Sequence, residues 1–189
     1  MKKTIIKIKL SSRTEFIDAL EEIDFHFSAP YWQHDRVFVP KRFTRDKAMP
    51  RLSLRTIVKD PEKKASYALV MRRHFEDEQF DLVNATLVKD YSETAHILYQ
   101  LGYELRYEVS RRREELRMGT LNIYIDKIDG IPGYFARIES DLTGQDDAHA
   151  AYQDILATFK VLKVNGKPIT ETYGEILESS KNDPMDKIS

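Results

Sequence analysis

"TIIKIKLSS", residues 4–12, decides how the chain is read. Lys7 and Lys9 alternate with Ile6, Ile8 and Leu10, and strand side chains alternate between the two faces of a sheet. One face is therefore aliphatic and the other carries two ammonium groups. The chain continues in the same manner. "APYWQHDRVFVP" (29–40) alternates between its bounding prolines, and "RLSLRTIVKD" (51–60) sets Arg51, Ser53 and Arg55 against Leu52, Leu54 and Thr56. "ASYALVMRRHF" (65–75) follows a charged turn at 61–64, and "FDLVNATLV" (80–88) an acidic turn at 76–78. "LRYEVSRRREEL" (105–116) and "GTLNIYID" (119–126) read as paired strands, and "GYFARIES" (133–140) as the last one.

Helices fall between and after these strands. In "SSRTEFIDALEEID" (11–24), Ser12 and Glu15 form a capping box, and Phe16, Ala19, Leu20 and Ile23 make one apolar face. "SETAHILYQLGY" (92–103) has Ser92 as the expected N-cap and Gly102 placed to end it. Asp146 and Asp147 head a third helix, "DAHAAYQDILATFKVL" (147–162), where acids suit the helix dipole. After a turn at Asn165–Gly166, a short helix is expected around Tyr173–Leu177. The count is roughly eight strands and three or four helices, with strands in hairpin-like succession. That favours an α+β fold built on an antiparallel sheet or closed barrel. One domain is expected over residues 1–180, and a loose tail over 181–189.

Composition narrows the function classes. A chain of 189 residues can bury a sizeable core, and its apolar (41%) and charged (32%) fractions are ordinary for a globular protein. Thirty basic residues nearly cancel 31 acidic ones, so no global field argues for nucleic acid or a membrane. Without cysteine there is no disulfide or thiolate metal site. The apolar run of "MKKTIIKIKL" is too short and interrupted for a signal peptide or a span, so a cytoplasmic protein is the expectation. His26, His34, His74, His96 and His149 show no zinc spacing. His34 and Asp35 are adjacent on a strand and face opposite ways, which argues against a general base there. Phe25, Phe27, Tyr31 and Trp32 read as core or rim packing.

The charge distribution is less ordinary. Cationic strand faces recur at Lys7 and Lys9, Arg51 and Arg55, Arg72 or Arg73, Arg111 and Arg113, and Arg137. The acids gather in helices and turns, as at Asp18, Glu21, Glu22 and 76–78. If the cationic faces turn inward they form a basic concavity, costly unless it holds an anion. Which face turns inward depends on the strand register.

Seven short pieces, in order, resemble the CYTH superfamily, also called triphosphate tunnel metalloenzymes, which includes class IV adenylate cyclases and thiamine triphosphatases. They are "QHDRVF" (33–38), "LSLR" (52–55), "ALVMRR" (68–73), "LVKDYSETAHILYQLGYE" (87–104), "VSRRREEL" (109–116), "IDKIDGIPGYFARIES" (125–140) and "TYGEIL" (172–177). The resemblance implies an eight-stranded antiparallel barrel, flanked by helices, that forms a tunnel. In such proteins strand Lys and Arg clasp a triphosphate while glutamates hold a divalent metal, an arrangement that suits both ions. The resemblance carries Lys9, Arg55, Arg72, Arg111 and Arg113 over as phosphate-binding residues, and Lys7, Arg51 and Arg137 of the cationic strand faces complete the expected phosphate-binding set. The metal set is thin: Glu139 with Asp126.

The chain departs from the family pattern on its acidic side. Ile5 and Lys7 stand where the opening E-x-E-x-K has glutamates, Val83, Ala85 and Leu87 where acids often alternate, and Arg137 where the closing E-I-E begins. Ser53 replaces an arginine of L-R-I-R. The expected function is therefore a CYTH-like tunnel binding a nucleotide or other triphosphate or polyphosphate anion, with dependence on Mg²⁺ or Mn²⁺ reduced or lost. Lys7 and Arg137 would do part of the metal's electrostatic work. The alternatives are an active class IV adenylate cyclase-like lyase or triphosphate hydrolase using Mg²⁺ or Mn²⁺, and a non-catalytic interaction scaffold or RNA-end binder. No catalytic residue is assigned. The expected partner is a triphosphate-containing small molecule or nucleotide, with no membrane, nucleic acid disfavoured and a homodimer allowed.

Overall fold

The computed structural model describes residues 1–42, 49–60, 62–75, 77–143, 147–164 and 166–181. Most of the expected loop at 41–50, the turn residues Pro61, Glu76 and Asn165, Asp146 and tail residues 182–189 lie outside the described residues. The elements are β1 (Lys2–Leu10), α1 (Arg13–Glu21), β2 (Tyr31–Pro40), β3 (Arg51–Val58), β4 (Ser66–Phe75), β5 (Phe80–Val88), α2 (Tyr91–Gln100), β6 (Tyr103–Met118), β7 (Leu121–Ile128), β8 (Tyr134–Leu142), α3 (Ala148–Val161) and α4 (Tyr173–Lys181).

All eight strands pair antiparallel in a closed barrel of order β1-β5-β4-β3-β2-β6-β7-β8. The β1–β5 seam is short, with only Lys2↔Leu82 and Lys3↔Asp81 in register. Farther along β1, the Ile169 N–H donates to the Lys7 carbonyl at 2.8 Å, so the segment before α4 lies against that edge.

The aliphatic strand faces turn outward, under the helices. Ile6, Ile8 and Leu10 of β1 join Ile123, Ile125, Ala136 and Ile138 beneath Phe16 and Leu20 of α1 and Ile155 and Phe159 of α3. A second outer cluster sets Phe38 and Leu54 against Ala95 and Leu98 of α2. This leaves the barrel interior to the opposite phase of the strands, which carries the cationic residues.

Helix ends follow local chemistry. The Ser12 hydroxyl accepts from the Glu15 N–H at 3.2 Å, as the capping box predicts. Ile23, expected on the apolar face of this helix, lies beyond its end and is 49% exposed. The cap of α2 is Asp90 rather than Ser92: its carboxylate accepts from the Glu93 N–H at 2.9 Å and suits the dipole better than a hydroxyl. Gly102 adopts φ +82° and ends that helix as expected. Trp32 lies on the outer phase of β2 and is half exposed rather than packed. The last helix is longer than the expected short helix around Tyr173–Leu177, and its Tyr173, Gly174 and Glu175 line the barrel's cavities.

The seating of α4 against β6 depends on Gly174. A Cβ built there would lie 2.1 Å from Tyr107 Cε2, inside the ring's van der Waals surface. Gly174→Ala is expected to displace α4 or the ring and to cost about 1–3 kcal/mol, the usual range for overpacking. Thermal denaturation tests this; an unchanged Tm would mean that α4 does not bear on the barrel.

Candidate functional site

The strand register resolves the question of faces. Lys7 lies opposite Arg137, Arg51 opposite Arg72, and Gln33 opposite Arg111, with their side chains on the inner wall. Arg72 is the inward arginine of β4; Arg73 lies over the Phe75 ring, 4.7 Å from its centroid. Lys7, Arg51, Arg72 and Arg137 line both a cavity of about 270 Å³, beside β1 and β5, and an adjoining inner one of about 90 Å³. Arg55 and Arg111 line only the inner cavity. Lys9 and Arg113 line neither: Lys9 is exposed beside Gly133, and Arg113 is buried in an ion pair.

The inner wall is not purely basic. Asp35, expected only as a neighbour of His34, points inward and accepts from Arg55 Nε at 2.7 Å and from Arg111. Asp126 accepts from Arg113 Nε and Nη2 at 2.6 and 2.7 Å, and from the Tyr173 hydroxyl at 2.9 Å. Glu139 lies 3.0 Å from Lys3 Nζ and 2.5 Å from Arg137 Nη2. Asp81 lies 2.7 Å from His74 Nδ1 and 3.6 Å from Arg72 Nε. The alternation of Tyr31, Gln33 and Asp35 in one phase was the signal for the first of these acids. For Asp81 it was the cross-strand position opposite His74. The unneutralised basic concavity expected from the strand pattern is thus an interlaced network of both signs. His34 points outward, its Nδ1 2.8 Å from Ser110 Oγ.

These pairings set the titration behaviour. Burial alone would raise the Asp35 carboxyl, but Arg111 and Arg55 hold it well below the usual range. Burial is likewise outweighed at Glu139 by Arg137 and Lys3, and at Asp126 by Arg113, which brings it down to about 2. Lys7 behaves oppositely. Burial, then Arg137 and Arg72, lowers its ammonium from 10.5 to about 7. Its Nζ donates to the Glu171 carbonyl and lies 5.0 Å from the Tyr173 ring centroid. Arg72 is lowered to about 10 by burial and Arg137. The Nε–H groups of Arg111 and Arg137 have no hydrogen-bond partner among the described residues.

A hard divalent cation needs several free oxygen ligands. Asp126 has its oxygens turned to Arg113 and Tyr173, and Glu139 to Arg137 and Lys3. Val83 of β5 lies opposite Arg72 and supplies no oxygen ligand. The two expected metal ligands therefore do not fit a metal centre in this arrangement. Among the described residues no group of three or more His, Asp or Glu could hold one.

No protein-family model and no curated protein sequence matches the chain. Solved structures do. A candidate adenylate cyclase from Vibrio parahaemolyticus superposes with a TM-score of 0.77 at 20% identity, covering 93% of this chain and 97% of that one. A protein from Pyrococcus horikoshii superposes with a TM-score of 0.77 at 18% identity, covering 93% and 99%. A candidate adenylyl cyclase from Hippeastrum with a dominant triphosphatase activity gives a TM-score of 0.63 at 13% identity, covering 98% and 99%. At these identities the likeness is one of fold. No helix among the described residues is long and apolar enough to cross a membrane.

Proposed function

We propose that this chain is a CYTH-like tunnel protein that binds a triphosphate-bearing anion, a nucleotide or polyphosphate, in the cavity lined by Lys7, Arg51, Arg72 and Arg137, without requiring a divalent metal. The observation that carries this reading is the convergence of those four cations from β1, β3, β4 and β8 on one cavity. Among the described residues Lys7 has no carboxylate within salt-bridge distance, and burial, then Arg137 and Arg72, disfavours its charge. Guanidinium forks match phosphoryl oxygens bidentately, and an ammonium adds a compact charge. A bound polyanion would relieve the repulsion among Lys7, Arg72 and Arg137. The likeness to a cyclase candidate and a triphosphatase supports the same substrate class.

Titration calorimetry with tripolyphosphate and with ATP, each in Mg²⁺ and in EDTA, tests the proposal. The expected result is binding of similar affinity in EDTA. Binding should also take up protons near pH 7, because an anion beside Lys7 restores its charge; buffers of different ionisation enthalpy read this directly. Binding confined to Mg²⁺ would overturn the metal-independent part of the proposal, and no binding in either condition would overturn the whole.

A further inference from the structure

Resting on the reading above, we infer that His74 is a catalytic general base, oriented by Asp81, for metal-free hydrolysis of the terminal phosphoryl group of the bound triphosphate. His74 and Asp81 are direct cross-strand partners on β4 and β5, and both line the same 270 Å³ cavity as the four cations. The imidazole Nδ1 lies 2.7 Å from Asp81 Oδ1. A carboxylate on one ring nitrogen fixes the tautomer and leaves the other nitrogen basic. Nε2 has no partner among the described residues, and the side chain is 40% accessible. None of the other histidines lines this cavity.

The step balances without a metal or redox partner. Water attacks the terminal phosphorus and His74 Nε2 takes one of its protons. The bond from that phosphorus to the bridging oxygen breaks, and diphosphate leaves with the electron pair. The proton returns to solvent or to the products. Lys7, Arg72 and Arg137 would oppose the charge that develops on the phosphoryl and leaving oxygens. Asp81 is a positioning residue: it touches the imidazole, not the substrate, and stabilises the imidazolium as it forms. The charged groups facing this pair across the cavity are Lys7 of β1, Arg51 of β3, Arg72 of β4, Arg137 of β8 and Glu175 of α4.

The experiment measures tripolyphosphate binding by calorimetry and orthophosphate release in EDTA, on the full chain and its His74→Ala and Asp81→Asn variants. Wild type is expected to release orthophosphate. His74→Ala should bind tripolyphosphate within about threefold of wild type while losing roughly 10²–10⁴-fold in turnover, the usual share of a general base. Added imidazole should restore part of that rate, which a purely structural histidine would not allow. Asp81→Asn should lower kcat while leaving tripolyphosphate binding within about threefold, because the imidazolium that forms in the step loses its carboxylate. Binding with no turnover by wild type, or full turnover by a folded His74→Ala, would overturn this inference and leave the binding proposal standing. Absence of binding would overturn both.

Discussion

Asp126→Ala is expected to lower unfolding stability by about 3–5 kcal/mol, the cost of leaving one member of a buried ion pair uncompensated. Asp126 is fully buried and accepts three hydrogen bonds, two from Arg113 and one from Tyr173. Its removal leaves the Arg113 guanidinium buried with the Tyr124 ring, 4.4 Å away, and no other carboxylate in salt-bridge contact among the described residues. It also frees the hydroxyl by which the first residue of α4 is anchored inside the barrel. In a domain of this size the Tm should fall by roughly 6–20 °C. Chemical denaturation measures the loss directly, and a loss below about 1 kcal/mol, no more than an exposed ion pair is worth, would mean that Arg113 has found another partner. The pH dependence has a definite sign. The folded-state value of about 2 lies below the ordinary aspartate value of 3.8. This stabilisation is therefore present above the ordinary value and is lost as pH falls through about 2.

Lys7→Met is expected to make the protein more stable at pH 7 while weakening tripolyphosphate binding by about 10–100-fold, one charge-assisted contact's worth. Burial, and after it Arg137 and Arg72, makes the folded state disfavour its charge against smaller opposing effects of Glu175 and Asp81. Between pH 7 and 10.5 the unfolded chain binds the proton more tightly, and wild-type stability rises with pH across that window. The advantage of methionine is therefore greatest at pH 7 and below, and shrinks as pH rises toward 10.5. A gain in Tm of about 2–4 °C at pH 7 corresponds to roughly 1 kcal/mol. Parallel melting curves at pH 6.5, 8 and 9.5 test the sign, and calorimetry tests the affinity. A variant that is less stable at every pH would show that the bond to the Glu171 carbonyl outweighs the repulsion. Unchanged affinity would remove Lys7 from the anion site.

Much of the fold was legible because it rests on local periodicity. The alternation in β1, the paired runs of β6 and β7, the capping box at Ser12 and the positive φ at Gly102 each depend on a few neighbouring residues. The exchange of Asp90 for Ser92 at a cap and the exposure of Ile23 are errors of one or two residues in the same local rules. Of the eight expected cations, Lys7, Arg51, Arg55, Arg72, Arg111 and Arg137 line the cavities and Lys9 and Arg113 do not, and the balance of charge was not legible at all. Asp35 read as a strand residue beside a histidine, and Asp81 only as the second residue of the strand 80–88. Only the cross-strand register brings the first to Arg55 and the second to His74.

By itself the sequence determined the strands and their amphipathic phases. Those properties follow from side-chain type at periods of two and 3.6 residues. Tertiary structure decided which phase faces inward. The aliphatic faces could be buried only beneath α1, α2 and α3, which turned the cationic faces into the barrel. Tertiary structure also decided which cations are neutralised. Arg113 and Arg55 have carboxylates within hydrogen-bond distance, whereas Lys7 has the Glu171 carbonyl and two neighbouring cations. Coulomb energies depend on separations of a few ångströms between strands far apart in the chain, and no local pattern of residues encodes those distances.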